Sequence, residues 1–208
     1  MALSSKALQK KRAKKSAKRK DLRKAQGAGS TMGLAPEWIA AARSPIADVF
    51  SPVGLFDVGL GSIWFSRRLP NGHYAVSVFL LDTYCLGVKD VMFGIDTAEA
   101  YQANLKDFMH ASEEEFVARD PAAVRKLLED AVRYAKSLGF DPHPEYRYAA
   151  MIFGDVDASE CKDDFSFGHD GVPHYVPGTH DSPAFQRRVR QRLEKIDMDP
   201  LGLILDGQ

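Results

Sequence analysis

The chain has 208 residues, of which 45% are hydrophobic and 10% aromatic, and its 28 basic and 28 acidic side chains give no net charge. This composition is ordinary for a globular protein, and no apolar run approaches the roughly 20 residues of a membrane span. The first residues lack the apolar core of a secretory signal, and two cysteines are too few for a disulfide framework, so we expect a soluble cytoplasmic protein.

The zero net charge conceals a split along the chain. The segment from Lys6 to Lys24 holds 11 basic residues and one acid, a net charge of +10, whereas the rest has 17 basic and 27 acidic residues, a net charge of −10. Such a dense block resists compaction, so we predict a disordered basic tail over residues 1–33 and a single α+β domain over residues 34–208. We expect the tail to bind nucleic acid through Lys10, Lys11, Arg12, Lys14, Lys15, Lys18, Arg19 and Lys20.

The first element that we predict in the body is a β-hairpin. Residues 57–69 and 74–81 are rich in strand-forming side chains and flank the pair Asn71 and Gly72. The second run is almost wholly apolar, as expected of a central strand covered by helices. Residues 83–93 predict a further strand or an irregular crossing. Together with the helices that follow, these runs predict a mixed or antiparallel sheet with flanking helices.

The clearest helix follows the hairpin in the chain. Asp120 is a good N-cap, Pro121 suits the first helical position, and Gly139 suits the position after the last turn. Between them, one face carries apolar residues at helical spacing: Val124, Leu127, Leu128, Ala131, Val132, Ala135 and Leu138. Weaker patterns predict helices over residues 97–110 and 145–153.

The last part of the chain predicts a second hairpin and a basic helix. Residues 165–167 and 173–176 flank a turn over residues 168–171, and Ser182 and Pro183 then predict a helix start. The helix has an apolar stripe formed by Phe185, Val189, Leu193 and Ile196. The cations of this helix predict a second nucleic-acid surface, and they are Arg187, Arg188, Arg190, Arg192 and Lys195. Arg67 and Arg68 would extend that surface.

Three stretches carry a resemblance to a known family. These stretches are residues 81–90, residues 152–157 and residues 167–175, and all of them follow a Lys/Arg-rich leader. The first stretch includes the run Tyr84-Cys-Leu-Gly-Val-Lys-Asp90. Together they resemble a family of small bacterial proteins of uncharacterised activity. The resemblance implies a bacterial cytosolic protein and brings no catalytic residues with it.

Four aspartates are candidate catalytic or metal-binding residues. Asp82 and Asp90 flank the end of the best strand, and Asp155 and Asp157 follow another apolar run. If they converge, they would bind Mg²⁺ or Mn²⁺, because hard cations prefer oxygen ligands, and would serve a nuclease. Aspartates also cap turns and helices after apolar segments, and capping is the reading that we favour.

Two weaker sites contain sulfur or imidazole groups. Cys161, His169, His174 and His180 are possible zinc ligands, although their spacing matches no paired zinc motif. Cys85 near Lys89 would be an activated thiol if the cation lowered its pKa, but a buried cysteine is the commoner case. Gly59 and Gly61 form only a fragment of a dinucleotide fingerprint, so we expect a turn or bulge there.

The sequence therefore supports three functions. The favoured one is a cytosolic protein that binds RNA or ribosomal particles, and less readily DNA, through the electrostatics of its basic tail. The second is a metal-dependent nuclease or phosphohydrolase, and the third is a protein-interaction module. Residues 10–20 also pass for a nuclear-import patch, which leaves a eukaryotic context open.

Overall fold

The structure, a computed structural model, describes residues 10, 36–110, 114–178 and 181–198. The predicted tail lies outside the described residues except for Lys10, which is exposed. The α+β fold class is confirmed: five strands form one antiparallel sheet in the order β4-β3-β2-β1-β5. Their bounds are β1 Ile46–Pro52, β2 Leu60–Arg68, β3 Tyr74–Asp82, β4 Gly87–Asp96 and β5 Phe116–Ala118.

Six α-helices and two short 3-10 helices surround this sheet in the part of the chain that the structure describes. The 3-10 helices are Ala150–Phe153 and Ala158–Glu160. The α-helices are α1 Pro36–Ala41, α2 Leu55–Val58, α3 Ala98–His110, α4 Pro121–Ser137, α5 Tyr146–Ala149 and α6 Pro183–Met198. None of the helices that the structure describes combines the length and the apolar character needed to cross a bilayer.

The predicted first hairpin is confirmed. Strands β2 and β3 pair continuously from Leu60 opposite Asp82 to Arg68 opposite Tyr74. The loop between them closes where the Leu69 amide donates to the His73 carbonyl at 2.8 Å, and Gly72 adopts a φ of 83° that glycine tolerates. Residues 83–86 then form a turn that leads into β4.

Both faces of the central hairpin are buried. On one face Ile63, Phe65 and Phe79 pack in a core that includes the apolar residues of α4. On the other face, Trp64 packs against Tyr101 and Phe108 of α3, with ring centroids 5.8 and 5.2 Å apart. Each fully buried large side chain contributes about 1.5–3 kcal/mol, so helices on both faces are needed to stabilise this sheet.

The signals that predicted α4 act as expected. Oδ1 of Asp120 accepts hydrogen bonds from the amides of Ala122 and Ala123, at 2.8 and 3.1 Å. Gly139 follows the last turn with a φ of 79°. The predicted helix over residues 97–110 is also present, whereas residues 145–153 divide into α5 and a 3-10 turn.

The predicted second hairpin is wrong outside its turn. Asp170 and Gly171 form the centre of a two-residue turn, with φ values of 53° and 79°, but the paired strands on either side are missing from the described residues. The Gly168 amide donates instead to the carbonyl of Thr83 at 2.9 Å, and the His174 amide to that of Tyr84 at 3.1 Å. The segment therefore covers the β3–β4 turn, and Pro173, which has no N–H group, interrupts any ladder.

Candidate nucleic-acid interface

Helix α6 begins as the sequence predicts. The Phe185 amide donates to Oγ of Ser182 at 3.2 Å, and Pro183 occupies the first helical position, where no N–H donor is needed. This start fixes the direction of the helix, and therefore the direction in which its cations point.

The apolar stripe of α6 attaches the helix to the domain. Val189 is completely buried, and the stripe residues on either side of it are partly buried in the same cluster. Their neighbours in that cluster include Cys85, Leu138 and Phe140. The predicted docking of this helix by one face is therefore confirmed.

The remaining surface of α6 carries a cationic group that we call the basic helix face: Arg187, Arg188, Arg190 and Lys195, all of them exposed. Arg188 lies over the ring of Phe185, with its guanidinium carbon 5.3 Å from the ring centroid. At 100° per residue, Arg187 points away from the stripe, Arg188 and Lys195 lie on one flank of it, and Arg190 lies on the other flank. Helix α6 contains two acids, Glu194 and Asp197, against five basic residues, so it keeps a net positive charge.

Arg192 has a different role from its neighbours. It lies beside the apolar stripe, and its Nε donates to the Leu138 carbonyl at 3.1 Å, at the C-terminal end of α4. Gly139 makes room for this contact, because a Cβ atom there would lie 2.5 Å from the Arg192 Nε. Arg192 thus joins α6 to α4, where a cation also interacts favourably with the helix dipole.

A buried carboxylate holds the start of α6. Oδ2 of Asp181 accepts from the Gly178 amide at 2.7 Å, from the Tyr175 hydroxyl at 2.8 Å, and from Nζ of Lys89 at 3.3 Å. Burial alone would raise the pKa of Asp181, but Lys89 and these hydrogen bonds together hold the pKa below its usual value. We call these residues the Asp181 lock.

The two arginines at the end of β2 differ from each other. Arg68 is exposed as predicted, but the prediction that Arg67 extends the basic surface is wrong, since its side chain is 3% exposed. Its Nε, Nη1 and Nη2 donate to the carbonyls of Ile152, Ser44 and Phe153 at 2.6, 2.5 and 2.7 Å. Arg67 is therefore a structural clamp that satisfies backbone groups of the loop after α1 and of the 3-10 helix Ala150–Phe153.

The four candidate aspartates do not form one site. Oδ1 of Asp82 accepts from the amides of Tyr84 and Cys85, both at 3.0 Å, and Asp157 caps its 3-10 helix by accepting from Ser159 at 2.8 Å. Asp155 lies 3.4 Å from Arg67, and Asp90 accepts from the Val91 amide at 2.9 Å. The favoured capping role is thus observed for Asp82 and Asp157.

The candidate zinc ligands are only partly brought together. The rings of His169 and His174 have centroids 5.5 Å apart, beside Tyr84, but Cys161 follows the second 3-10 helix in another part of the surface. His180 lies outside the described residues. Within the described ranges, no three His, Cys, Asp or Glu side chains are grouped so that they could hold a metal ion.

Cys85 and Gly59 have the structural roles that the sequence analysis favoured over chemical ones, a buried cysteine and a turn. Cys85 is completely buried, and Lys89 forms its ion pair with Asp181. Gly59 ends α2 with a φ of 69°, and a Cβ atom there would lie 2.4 Å from the ring of Tyr84. This glycine is therefore required by a close approach at a turn, as expected.

Sequence reasoning missed the Asp181 lock and the Arg67 clamp. Arg67 is separated by 85 and 86 residues from two of its carbonyl partners, and Asp181 by 92 residues from Lys89. Lys89 and Tyr175 each stand beside another polar residue, Asp90 and His174, so no local signal pointed to the lock. No family model, no curated protein and no solved structure matches this chain. The candidate interface is therefore argued only from the basic helix face and the contacts that hold α6.

Proposed function

We propose that the protein binds RNA, free or within ribosomal particles, through the basic helix face and the N-terminal cations. The observation that supports this most directly is that one face of α6 packs on the domain while the other carries exposed cations. Its apolar stripe and the Asp181 lock fix the helix, while Arg187, Arg188, Arg190 and Lys195 remain exposed. A helix that is held in place presents its cations from a fixed backbone, so it can bind phosphates without moving as a whole.

The mechanism is the release of counterions from the nucleic-acid backbone. The segment from Lys6 to Lys24, with its net charge of +10, would make most of the phosphate contacts, and the basic helix face would fix the orientation. Residues 155–164 contain five exposed acids and one lysine, and this stretch would repel phosphates. The acidic body thus limits indiscriminate adhesion and confines the strand to the basic surfaces.

We place this activity in a reducing bacterial cytoplasm. Cys85 is buried and Cys161 is half-buried, as suits thiols that are not required for disulfides. The resemblance of the segments at residues 81–90 and 167–175 to bacterial proteins supports the same setting.

The experiment measures the affinity of the full chain for a fluorescent 20-nucleotide RNA as a function of salt. For single strands, each phosphate contact contributes about 0.7 to the slope of log K against log salt. The triple variant Arg187→Gln, Arg188→Gln, Arg190→Gln should therefore lower the slope by about 2. A second variant with Lys14, Lys15 and Lys18 replaced by Gln should lower it by a similar amount.

The matched control is Arg133→Gln, which removes a cation that is 75% exposed and already paired with Asp130 on α4. Its slope should equal that of the wild-type protein. A wild-type affinity that does not change with salt, or no affinity at all, would overturn the proposal. The same measurement is made with a DNA strand of the same sequence and with purified ribosomes. A higher affinity for DNA than for RNA would show that DNA, not RNA, is the partner.

A further inference from the structure

An open cleft of about 790 Å³ lies between α1 and the 3-10 turn Ala150–Phe153. Its walls are mainly apolar, and Pro36, Ile39, Pro70, Met151 and Phe153 contribute to them. Ile39 is 54% exposed, so its side chain is open to a ligand in the cleft. The volume lies within the range of about 300–1,000 Å³ that is typical of small-molecule sites.

The charges in this cleft have one sign. Among the described residues that line it, the ionisable side chains are those of Arg43 and Arg125. Arg125 is held in place, since its Nε donates to Glu129 at 2.7 Å and its Nη1 to the Val156 carbonyl at 2.5 Å. Arg43 is exposed at the end of α1. Asp155, the first acid of the stretch that follows the lining residue Gly154, lies 3.4 Å from Arg67, which offsets its charge. Glu129 likewise offsets the charge of Arg125, so an anionic group on the ligand would be placed at Arg43.

The geometry points to a site for one nucleotide unit, a flat ring that carries a phosphate, in this cleft. The ring lies against Ile39, Pro70 and Met151, and the phosphate binds Arg43. Apolar contacts with Ile39, Pro70 and Met151 tolerate any base, because the flat face of every base can lie against an apolar wall. This inference rests on the proposed function and makes the bound strand single-stranded, since a paired base cannot enter a cleft.

The position of the cleft in the chain supports a nucleotide as its occupant. Helix α1, which provides Pro36 and Ile39 and is followed by Arg43, is the first helix that the structure describes after the basic segment. Lys24 precedes Pro36 by 12 residues, which span at most about 40 Å when extended. A strand held by the N-terminal cations therefore has its next nucleotides within reach of this cleft.

The test uses the full chain with a 12-nucleotide single-stranded RNA, a 12-base-pair RNA duplex and AMP as separate ligands. Ile39→Glu places an acid in the cleft at an already exposed helical position, and Arg43→Gln removes the phosphate partner. Ile39→Glu removes an apolar contact with the base, and Arg43→Gln removes the phosphate contact, so each should weaken single-strand binding about fivefold. Both should leave duplex binding within about twofold. The controls are Val172→Glu, at an apolar residue that is 64% exposed, and Arg133→Gln.

A second measurement locates the contact. The single strand carries 4-thiouridine, and its photo-crosslinks should map to residues 36–43 or 150–154. If AMP competes with the strand and displaces these crosslinks, a free nucleotide is also a ligand of the site. If both cleft variants bind the strand as tightly as their controls, or if the crosslinks map elsewhere, the cleft inference is wrong while salt-dependent RNA binding still stands. If the wild-type chain binds no RNA, the proposed function itself fails.

Discussion

Nζ of Lys89 lies 3.3 Å from Oδ2 of Asp181, and this ion pair joins strand β4 to the start of the basic helix α6. The two side chains are 14% and 13% exposed, so each charge depends on the other. Asp181→Asn should lower the free energy of unfolding by about 2–4 kcal/mol, because it leaves the Lys89 ammonium buried without its counter-charge. Urea denaturation measures the loss.

The matched control for this prediction is Asp164→Asn. Asp164 also faces a lysine, Lys126 at 3.9 Å, but its side chain is fully exposed. The control should change the free energy of unfolding by less than about 0.5 kcal/mol. Equal effects of the two substitutions would show that the Asp181 lock contributes no more than a surface ion pair.

The same lock predicts a dependence on pH. Because the pKa of Asp181 is lower in the folded protein than in the unfolded chain, the carboxylate stabilises the fold above the unfolded pKa of about 3.9. This contribution is lost as the pH falls through the lower folded pKa. The difference in unfolding free energy between the wild-type protein and Asp181→Asn should therefore be constant from pH 7 to 5 and shrink at lower pH. A difference that grows on acidification would contradict this assignment.

The adjacent residues Arg67 and Arg68 should contribute very differently to the stability of the fold. Arg67→Lys should destabilise the fold by about 3 kcal/mol, because one ammonium cannot satisfy three carbonyls that a planar guanidinium reaches together. Arg68→Lys, at the exposed neighbouring position, should change stability by less than about 0.5 kcal/mol. Thermal unfolding of both variants measures the contrast. A mild effect at Arg67 would mean that water replaces the missing donors.

Substitutions at two glycines with positive φ distinguish the cost of backbone strain from the cost of steric overlap. At Gly72, with a φ of 83°, an added Cβ meets no atom within 4 Å, so Gly72→Ala should cost only the strain, about 1 kcal/mol. At Gly59, with a φ of 69°, the Cβ would lie 2.4 Å from the buried ring of Tyr84. Gly59→Ala should therefore cost about 2–4 kcal/mol. Similar costs in chemical denaturation would refute the overlap.

Alkaline pH should weaken the fold through Tyr146. Burial, and then the charge of Glu129, raise the pKa of Tyr146 from 10.0 to about 12. The protonated phenol therefore stabilises the folded state below pH 10, and this contribution is lost as the pH rises toward 12. Stability curves between pH 9 and 12 should fall less steeply for Tyr146→Phe than for the wild-type protein. Parallel curves would show that other tyrosines cause the loss.

Features that depend on neighbouring residues were predicted correctly. The hairpin at Asn71 and Gly72 and the cap at Asp120 require only turn preferences and the side chains beside them. The stripe of α6 required only helical spacing. These signals are short-range, so a single sequence is enough to reveal them.

The misplaced features depend on distant partners. The run around His169 and His174 was read as a hairpin, but its amides donate to the carbonyls of Thr83 and Tyr84, more than 80 residues earlier in the chain. The sequence predicts Arg67 on the surface, because arginine is rarely buried and two of its three carbonyl partners follow some 85 residues later. Asp90 was placed at a strand end, but it lies within β4. No local pattern contains this information.

The bond from Arg192 to the Leu138 carbonyl makes the end of α4 a natural reporter of events on α6. A phosphate that draws the Arg192 guanidinium away would uncap α4, whereas one held by Arg187 or Arg188 would leave the cap intact. Amide hydrogen exchange in the last turn of α4 would accelerate in the first case and stay unchanged in the second. Through the contact that Gly139 permits, binding of a phosphate to α6 would therefore change the stability of the last turn of α4.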